Sequence, residues 1–141
     1  MNVLIDENLP PRLATTLDGF IREDGHGAYS LREKYGPGVR DETWIADLRR
    51  DADDWIVISG DLRITRDRAI RTVFRSSGLR GFFLASGWQK SLKLHEKAGL
   101  LLMRWPEIEQ QALLVAGGAC FEVPLRRSAK LRALPQVLSA M

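Results

Sequence analysis

Two short apolar runs that each lead to an aspartate constrain the fold of this chain more than any other feature. Residues 3–5 precede Asp6, and Trp55–Ser59 precede Gly60 and Asp61. Apolar runs without polar alternation are typical of parallel strands that are buried on both faces. Parallel strands need long crossover connections, usually helices, so the sequence predicts strands that alternate with helices.

Helical periodicity occupies much of the chain between and after these runs. The pattern predicts a first helix that Pro10 and Pro11 open and that ends near Gly19, and a second from Asp41 to about Asp53. Further helices are predicted from about 66 to 76 and from 92 to about 117, the latter broken at Pro106, and strands at 81–85 and 119–123. Residues 22–40 are rich in glycine, and we expect a loop there with at most one short strand.

The predicted fold class is α/β, with a mostly parallel central sheet flanked by helices on both faces. A length of 141 residues suits one domain with a substantial core. We expect residues 1–124 to form this domain and residues 125–141 to form a basic C-terminal tail, because no acidic residue follows Glu122.

Composition and the chain start favour an ordinary soluble protein. Hydrophobic residues make up 45% and charged residues 28% of the chain, and no run is long enough to cross a membrane. The first residues lack the pattern of a secretory signal, so we expect a cytoplasmic protein without a membrane partner. The single cysteine, Cys120, excludes an internal disulfide, and its apolar neighbours favour a buried residue without chemistry.

Three aspartates are the candidate catalytic and metal-binding residues. Asp6 and Asp61 follow separate buried strands, and ligands of such sheets bind beyond the carboxyl ends of the strands. Asp41 shares a helix face with Trp44, so its side chain can point inward. Crowded carboxylates repel one another, and a hard divalent cation relieves that repulsion. The cluster therefore predicts Mg²⁺ or Mn²⁺ and favours phosphodiester hydrolysis.

Structural roles remain open for the individual acids. Asp41 could cap its helix, Asp67 could complement a helix dipole after a Thr65 cap, and Glu7 could be a solvated turn residue. His26, His95 and Cys120 lack the spacing of a zinc site, and we expect both histidines to be structural or exposed.

Basic and aromatic residues supply candidate contacts for a phosphodiester substrate. One group follows Asp61 closely enough to bind a phosphate, and a second lies in the predicted tail, although either group could simply pair with acids or with solvent. The phosphate-binding candidates are Arg63, Arg66, Arg68, Arg126, Arg127, Lys130 and Arg132. Trp44 and Trp55 are predicted to be core residues, whereas Trp88 is predicted to lie in a loop where it could stack on a base.

Five segments resemble the PIN-like branch of the VapC-type toxin ribonucleases. They are DENLPPRL at 6–13, DETWI at 41–45, ISGDLRITR at 58–66, FFLASGW at 82–88 and FEVP at 121–124. The resemblance implies a PIN-like fold, an Mg²⁺- or Mn²⁺-dependent site that cleaves RNA, frequent homodimers and a cognate antitoxin protein.

The family pattern implies a role for each acid. Asp6, Asp41 and Asp61 match its strand-end, helix and second strand-end acids, and Glu42 is an alternative for the second. The fourth acid has no clear counterpart, so Asp67 is only a candidate ligand and a weakly active enzyme is conceivable. A nuclease-inactive PIN-like module that binds RNA or protein is therefore an alternative. A receiver-like phosphoacceptor domain is a further one, although 83–85 lack the Thr or Ser expected there.

Overall fold

Strands and helices alternate along most of the chain. The computed structural model describes residues 1–51, 53–61, 66–115 and 117–134. The strands are β1 (Asn2–Ile5), β2 (Gly27–Ser30), β3 (Trp55–Ser59), β4 (Arg80–Leu84), β5 (Cys120–Val123) and β6 (Arg132–Ala133). The helices are α1 (Pro11–Ile21), α2 (Leu31–Tyr35), α3 (Asp41–Arg50), α4 (Arg68–Ser76), α5 (Ser86–Ser91) and α6 (Leu94–Leu114), with a 3₁₀ turn at Arg22–Asp24.

The strands form one six-stranded sheet in the order β2-β1-β3-β4-β5-β6. The first five are parallel, and only β6 runs antiparallel, to β5. In register, Ile5 of β1 lies beside Ile58 of β3, so these two strands end next to each other. The α/β class with a mostly parallel sheet is confirmed.

Each face of the sheet carries its own apolar core, because successive side chains of a strand point to opposite faces. Val3 and Ile5 belong to one core, which includes residues of α1 and α6, while Leu4 belongs to the other, which includes residues of α3 and α4. β3 and β4 are buried at every position. This burial on both sides explains why those strands are apolar without alternation.

Residues 22–40 are more regular than the sequence indicated. β2 pairs with the whole of β1, and α2 follows it directly, with the Ser30 hydroxyl accepting a hydrogen bond from the Glu33 amide at 3.4 Å. Gly25, at a φ of +84°, ends the 3₁₀ turn in a left-handed conformation that suits glycine. The glycines therefore mark the ends of short elements rather than a continuous loop.

Several predicted helix limits were wrong. α1 continues to Ile21 past Gly19, because Leu17 and Ile21 are both buried. α3 ends at Arg50, and α6 starts at Leu94 and ends at Leu114. Pro106 does not break α6, whose buried face includes Leu101, Trp105, Ile108 and Ala112 at helical spacing. The packing of that face outweighs the missing proline N–H.

The segment after Pro124 packs on the sheet as far as the structure describes it. The buried Arg104 of α6 donates to the carbonyl oxygens of Pro124, Arg126 and Ala129 at 3.1, 2.7 and 2.6 Å. The Leu134 amide donates to the Cys120 carbonyl at 2.8 Å. Residues 125–134 of the predicted tail are therefore in contact with α6 and β5, and residues 135–141 lie outside the described residues.

Candidate active site

The candidate site lies where the strand order reverses. β1 leads to β2 on one side of the sheet, and the chain then returns to β3 on the other side of β1. Crossovers that leave in opposite directions open a crevice at the carboxyl ends of the two strands from which they leave, here β1 and β3. Asp6 follows β1 and Asp61 lies two residues beyond β3, so both flank this crevice.

Asp6 is held from two directions at the mouth of the crevice. Its side chain is buried, and its Oδ1 accepts a hydrogen bond from the Glu7 amide at 2.7 Å. Its Oδ2 accepts one from the fully buried hydroxyl of Ser59 at 2.6 Å. The same hydroxyl accepts a hydrogen bond from the Asp61 amide at 2.9 Å. Ser59 therefore fixes the loop that carries Asp61 against the carboxylate of Asp6.

The electrostatics of Asp6 link the three predicted acids. Burial raises the pKa of the Asp6 carboxyl above its ordinary value, and the hydrogen bonds from Ser59 and Glu7 oppose that rise. The negative charges of Asp41 and Asp61 raise the pKa of Asp6 further. The structure thus brings the three aspartates close enough for their charges to interact.

Asp41 is the first residue of α3, and Arg40 occupies the cap position. Asp41 is therefore not the cap residue of this helix. Its Oδ1 accepts a hydrogen bond from the indole Nε1 of the buried Trp44 at 3.0 Å. Glu42 is exposed and pairs with Arg40 at 3.6 Å. Asp41, rather than Glu42, contributes to the field at Asp6.

Two polar side chains that follow Asp6 tie the crevice together. The Oε2 of Glu7 accepts a hydrogen bond from the Gly38 amide at 3.2 Å, and the Oδ1 of Asn8 accepts one from the Gly60 amide at 3.3 Å. Glu7 therefore holds the loop before α3, instead of being only a solvated turn residue. Asn8 carries no signal in the sequence that marks it as a site residue, whereas the hydroxyl of Ser59 at the end of an apolar strand was such a signal.

The donor chemistry of the three aspartates fits a hard cation, because carboxylate oxygens are the ligands that Mg²⁺ and Mn²⁺ prefer. Over the described ranges, no three His, Cys, Asp or Glu side chains come close enough together to hold a metal ion. The negative charges of the three aspartates thus interact, but their side chains do not form a complete metal-binding site. The three carboxylates must therefore come closer together for all of them to bind one ion.

Comparison with known proteins identifies the family. A model of the PIN-like domain matches residues 1–86, which is more than half of the chain and includes all three aspartates. The chain belongs to the PIN-like domain family. Searches of curated proteins and of solved structures found no match. The strand order alone also suits a receiver-like domain, so the family match carries the assignment.

Membership of this family supports a nuclease, and hence a hydrolase, at the general level. The matched residues run from β1 through β4 to the first residue of α5. They contain the strand ends that carry Asp6 and Asp61, together with Ser59 between them. The whole crevice of this PIN-like domain therefore lies within the matched residues.

Asp67 is the N-cap residue of α4, whereas the sequence predicted a helix from about 66 with Asp67 in its first turn. Its Oδ1 accepts hydrogen bonds from the amides of Ala69 and Ile70 at 3.0 and 3.3 Å. This contact occupies one carboxylate oxygen of the candidate fourth ligand. The predicted cap residue Thr65 and the phosphate-binding candidate Arg63 lie outside the described residues.

Trp88 is not available to stack on a base. It lies in α5 rather than in a loop, its side chain is 0% exposed, and its indole Nε1 donates to the Val123 carbonyl at 3.0 Å. Trp44 and Trp55 are buried, as predicted. These three tryptophans therefore belong to the two cores, because each offers a large apolar surface.

The other candidates divide between structural and surface positions. His26 forms a 2.7 Å contact with Glu109 and packs edge-on against Trp105, which agrees with a structural role. Burial raises the pKa of the Cys120 thiol to about 11, so a reactive thiolate is disfavoured. Arg132 pairs with Glu122 at 2.9 Å. The remaining described arginine and lysine candidates, Arg66, Arg68, Arg126, Arg127 and Lys130, are exposed.

The raised pKa of Asp6 predicts a pH effect on stability without metal. A carboxyl that binds its proton more tightly when folded makes the folded state less stable as pH rises from about 3.8 through its folded pKa. In EDTA, we expect Asp6→Asn to gain stability relative to the wild type across this window and to keep that gain at neutral pH. Urea unfolding at several pH values measures it, with the exposed Asp24→Asn as control. A stability difference between Asp6→Asn and the wild type that does not change with pH would contradict the raised pKa of Asp6.

Proposed function

We propose that this PIN-like domain is a metal-dependent endoribonuclease and the toxin of a toxin–antitoxin pair. The observation that carries the proposal is the position of Asp6 and Asp61 at the carboxyl ends of adjacent parallel strands, with Asp41 contributing to the same field. Carboxylates crowded in a crevice can hold a divalent cation. Such an ion suits phosphodiester hydrolysis, because it neutralises the negative charge of the phosphate that the carboxylates alone would repel. The family match supports the nuclease class.

In this proposal Asp6, Asp41 and Asp61 hold Mg²⁺ or Mn²⁺. When bound, the ion supplies an activated water molecule and neutralises charge on the phosphate. Ser59 positions Asp6 and the Asp61 loop through its two hydrogen bonds. Trp44 orients Asp41 through its indole N–H. Asp67 and Glu42 remain candidates for a further ligand.

RNA binding is assigned to basic residues around the crevice. Arg66 and Arg68 precede and open α4 close to Asp61 in sequence, and both are exposed. Guanidinium groups bind phosphate oxygens in a bidentate manner. Arg126, Arg127 and Lys130 are exposed on the C-terminal segment and can hold the RNA backbone, whereas Arg132 is already paired with Glu122. Arg63 belongs to this proposal on sequence alone.

The proposed partners are RNA, a cognate antitoxin and a second copy of the chain, and the proposed location is the cytoplasm. None of these is a membrane component. Among the helices that the structure describes, none combines the length and the apolar character that a membrane span requires.

Metal-dependent RNA cleavage tests the proposed function. The purified protein should cleave a single-stranded RNA oligonucleotide in millimolar Mg²⁺ or Mn²⁺ and should not cleave it in EDTA. Gel analysis of end-labelled RNA measures the products. RNA binding without cleavage under all metal conditions would instead support the nuclease-inactive module, which the family match does not favour.

A further inference from the structure

Beside the carboxylates lies a patch of hydrogen-bond donors that we define as the donor patch: Asn8, Gln89 and Lys97. Gly60 brings the two amides together. A Cβ on Gly60 would overlap the Nε2 of Gln89 and would lie 3.3 Å from the Nδ2 of Asn8. The glycine at this position leaves room for both amides, in these positions, over the backbone between β3 and Asp61.

The hydrogen bonds within the patch determine what it can bind. The Oδ1 of Asn8 accepts from the Gly60 amide at 3.3 Å, and the Oε1 of Gln89 accepts from the Nζ of Lys97 at 2.6 Å. Each amide acceptor is therefore engaged, and the groups that remain are N–H donors. An ammonium group beside two NH₂ groups favours an anionic ligand with several acceptor oxygens.

Position makes a nucleic-acid phosphate the best match. The patch adjoins Gly60, the residue before Asp61, so a ligand on it lies next to the acidic crevice. A strand of RNA has a phosphate at every nucleotide, so one phosphate can occupy the patch while its neighbour lies at the carboxylates. An open groove of about 380 Å³ between α1 and α6, lined in part by Arg12, Thr16 and His95, leaves room for a strand beside the first turns of α6.

We propose that Asn8, Gln89 and Lys97 bind the RNA phosphate adjacent to the cleaved bond. This inference rests on the proposed function, and it assigns to these three residues the positioning of the strand. Lys97 contributes charge and orients Gln89, while Asn8 and Gln89 contribute neutral donors. The donor patch binds the phosphate one nucleotide away from the aspartates. Its attraction for that phosphate therefore offsets the repulsion between the RNA and the aspartates.

RNA affinity in EDTA tests the proposal without relying on cleavage. We expect Lys97→Gln to weaken binding of a single-stranded oligonucleotide about fivefold and to flatten the slope of log affinity against log salt by about 0.7, the value for one phosphate contact on a single strand. Lys34→Gln is the matched control, because its ammonium lies 5.5 Å from the ring of Trp55, at the opposite end of β3. Fluorescence anisotropy across a salt series measures both.

Two further variants separate the donors from the charge. Gln89→Leu should weaken binding about threefold without changing the salt slope, since it removes a neutral donor. Gly60→Ala should have a similar effect, because its Cβ displaces Gln89, and it should add little to Gln89→Leu in the double variant. Retained melting temperatures would show that the variants fold.

The outcomes distinguish this proposal from the proposed function. Metal-dependent cleavage by the wild type together with unchanged affinity and salt slope in Lys97→Gln would overturn the donor patch and leave the nuclease standing. A wild type that neither binds nor cleaves RNA would overturn both. Competition by a poly-glutamate peptide as strong as that by RNA at equal charge concentration would assign the patch to an acidic protein partner and overturn the RNA assignment.

Discussion

Asp61→Asn should lower the rate of RNA cleavage in Mg²⁺ by about a hundredfold to a thousandfold while leaving the domain folded. This effect is comparable to the loss of one principal group that stabilises the transition state in an active site. The substitution keeps the shape of the side chain but removes the negative charge that a divalent cation requires. The Asp61 amide can still donate to Ser59, because that bond involves the backbone.

Two comparisons make the Asp61 prediction specific. Asp53→Asn removes an exposed acid at the start of β3, the end remote from the crevice, and should cleave at the wild-type rate. A melting curve of Asp61→Asn in EDTA should match or exceed that of the wild type, because one of three repelling charges is gone. Unfolding of this variant, or full cleavage by it, would show that Asp61 is not a metal ligand.

Arg104→Met should destabilise the domain by about 3–5 kcal/mol, the largest stability effect we expect from one substitution. Its side chain is only 3% exposed and donates to three carbonyl oxygens of the segment after β5, besides its contact with Glu107. Methionine preserves much of the volume but leaves the three half-buried carbonyl groups without their donor. The segment that leads to β6 should then loosen from α6.

Urea unfolding measures the Arg104 effect, with the exposed Arg127→Met as the matched control in the same segment. The control should change stability by less than about 0.5 kcal/mol. Faster amide exchange at residues 125–134 in Arg104→Met would locate the loss. Equal stability of the two variants would show that Arg104 does not hold this segment on the sheet.

Local sequence patterns predicted the elements that carry the aspartates. Burial on both faces makes β1 and β3 apolar without alternation, so the positions of Asp6 and Asp61 at strand ends could be read directly. The apolar face of α3 could also be predicted from the sequence, and Trp44 on that face is fully buried. The carboxyl ends of parallel strands meet at one sheet edge, which is why the proximity of Asp6 and Asp61 could be predicted without coordinates.

Elements that depend on distant contacts could not be predicted in this way. β2 has only four residues and starts at a glycine, and it is a strand because it pairs with β1. α5 is a six-residue helix anchored by Trp88, whose partner is the Val123 carbonyl of β5. The order of residues 125–134 depends on Arg104, about twenty residues earlier, and no local signal marks that contact.

The bridging role of Ser59 is also non-local, because its hydroxyl joins two strand ends that are separated by 53 residues. Asn8 and Gln89 were missed for the same reason, since only the fold places both against Gly60. Acidic residues can be recognised in a sequence by their charge and position. Neutral polar residues around a site lack such a signal until their partners are known.

Binding of Mn²⁺ to the metal-free protein tests the central claim most directly. The wild type should melt about 5–10 °C higher when Mn²⁺ is present at about a hundred times its dissociation constant, because an ion that binds only the folded state stabilises it by about 2.7 kcal/mol. Asp6→Asn and Asp61→Asn should lose most of this shift, and the exposed Asp24→Asn should keep it. Identical wild-type melting curves in Mn²⁺ and in EDTA would contradict the assignment of Asp6, Asp41 and Asp61 as a metal site.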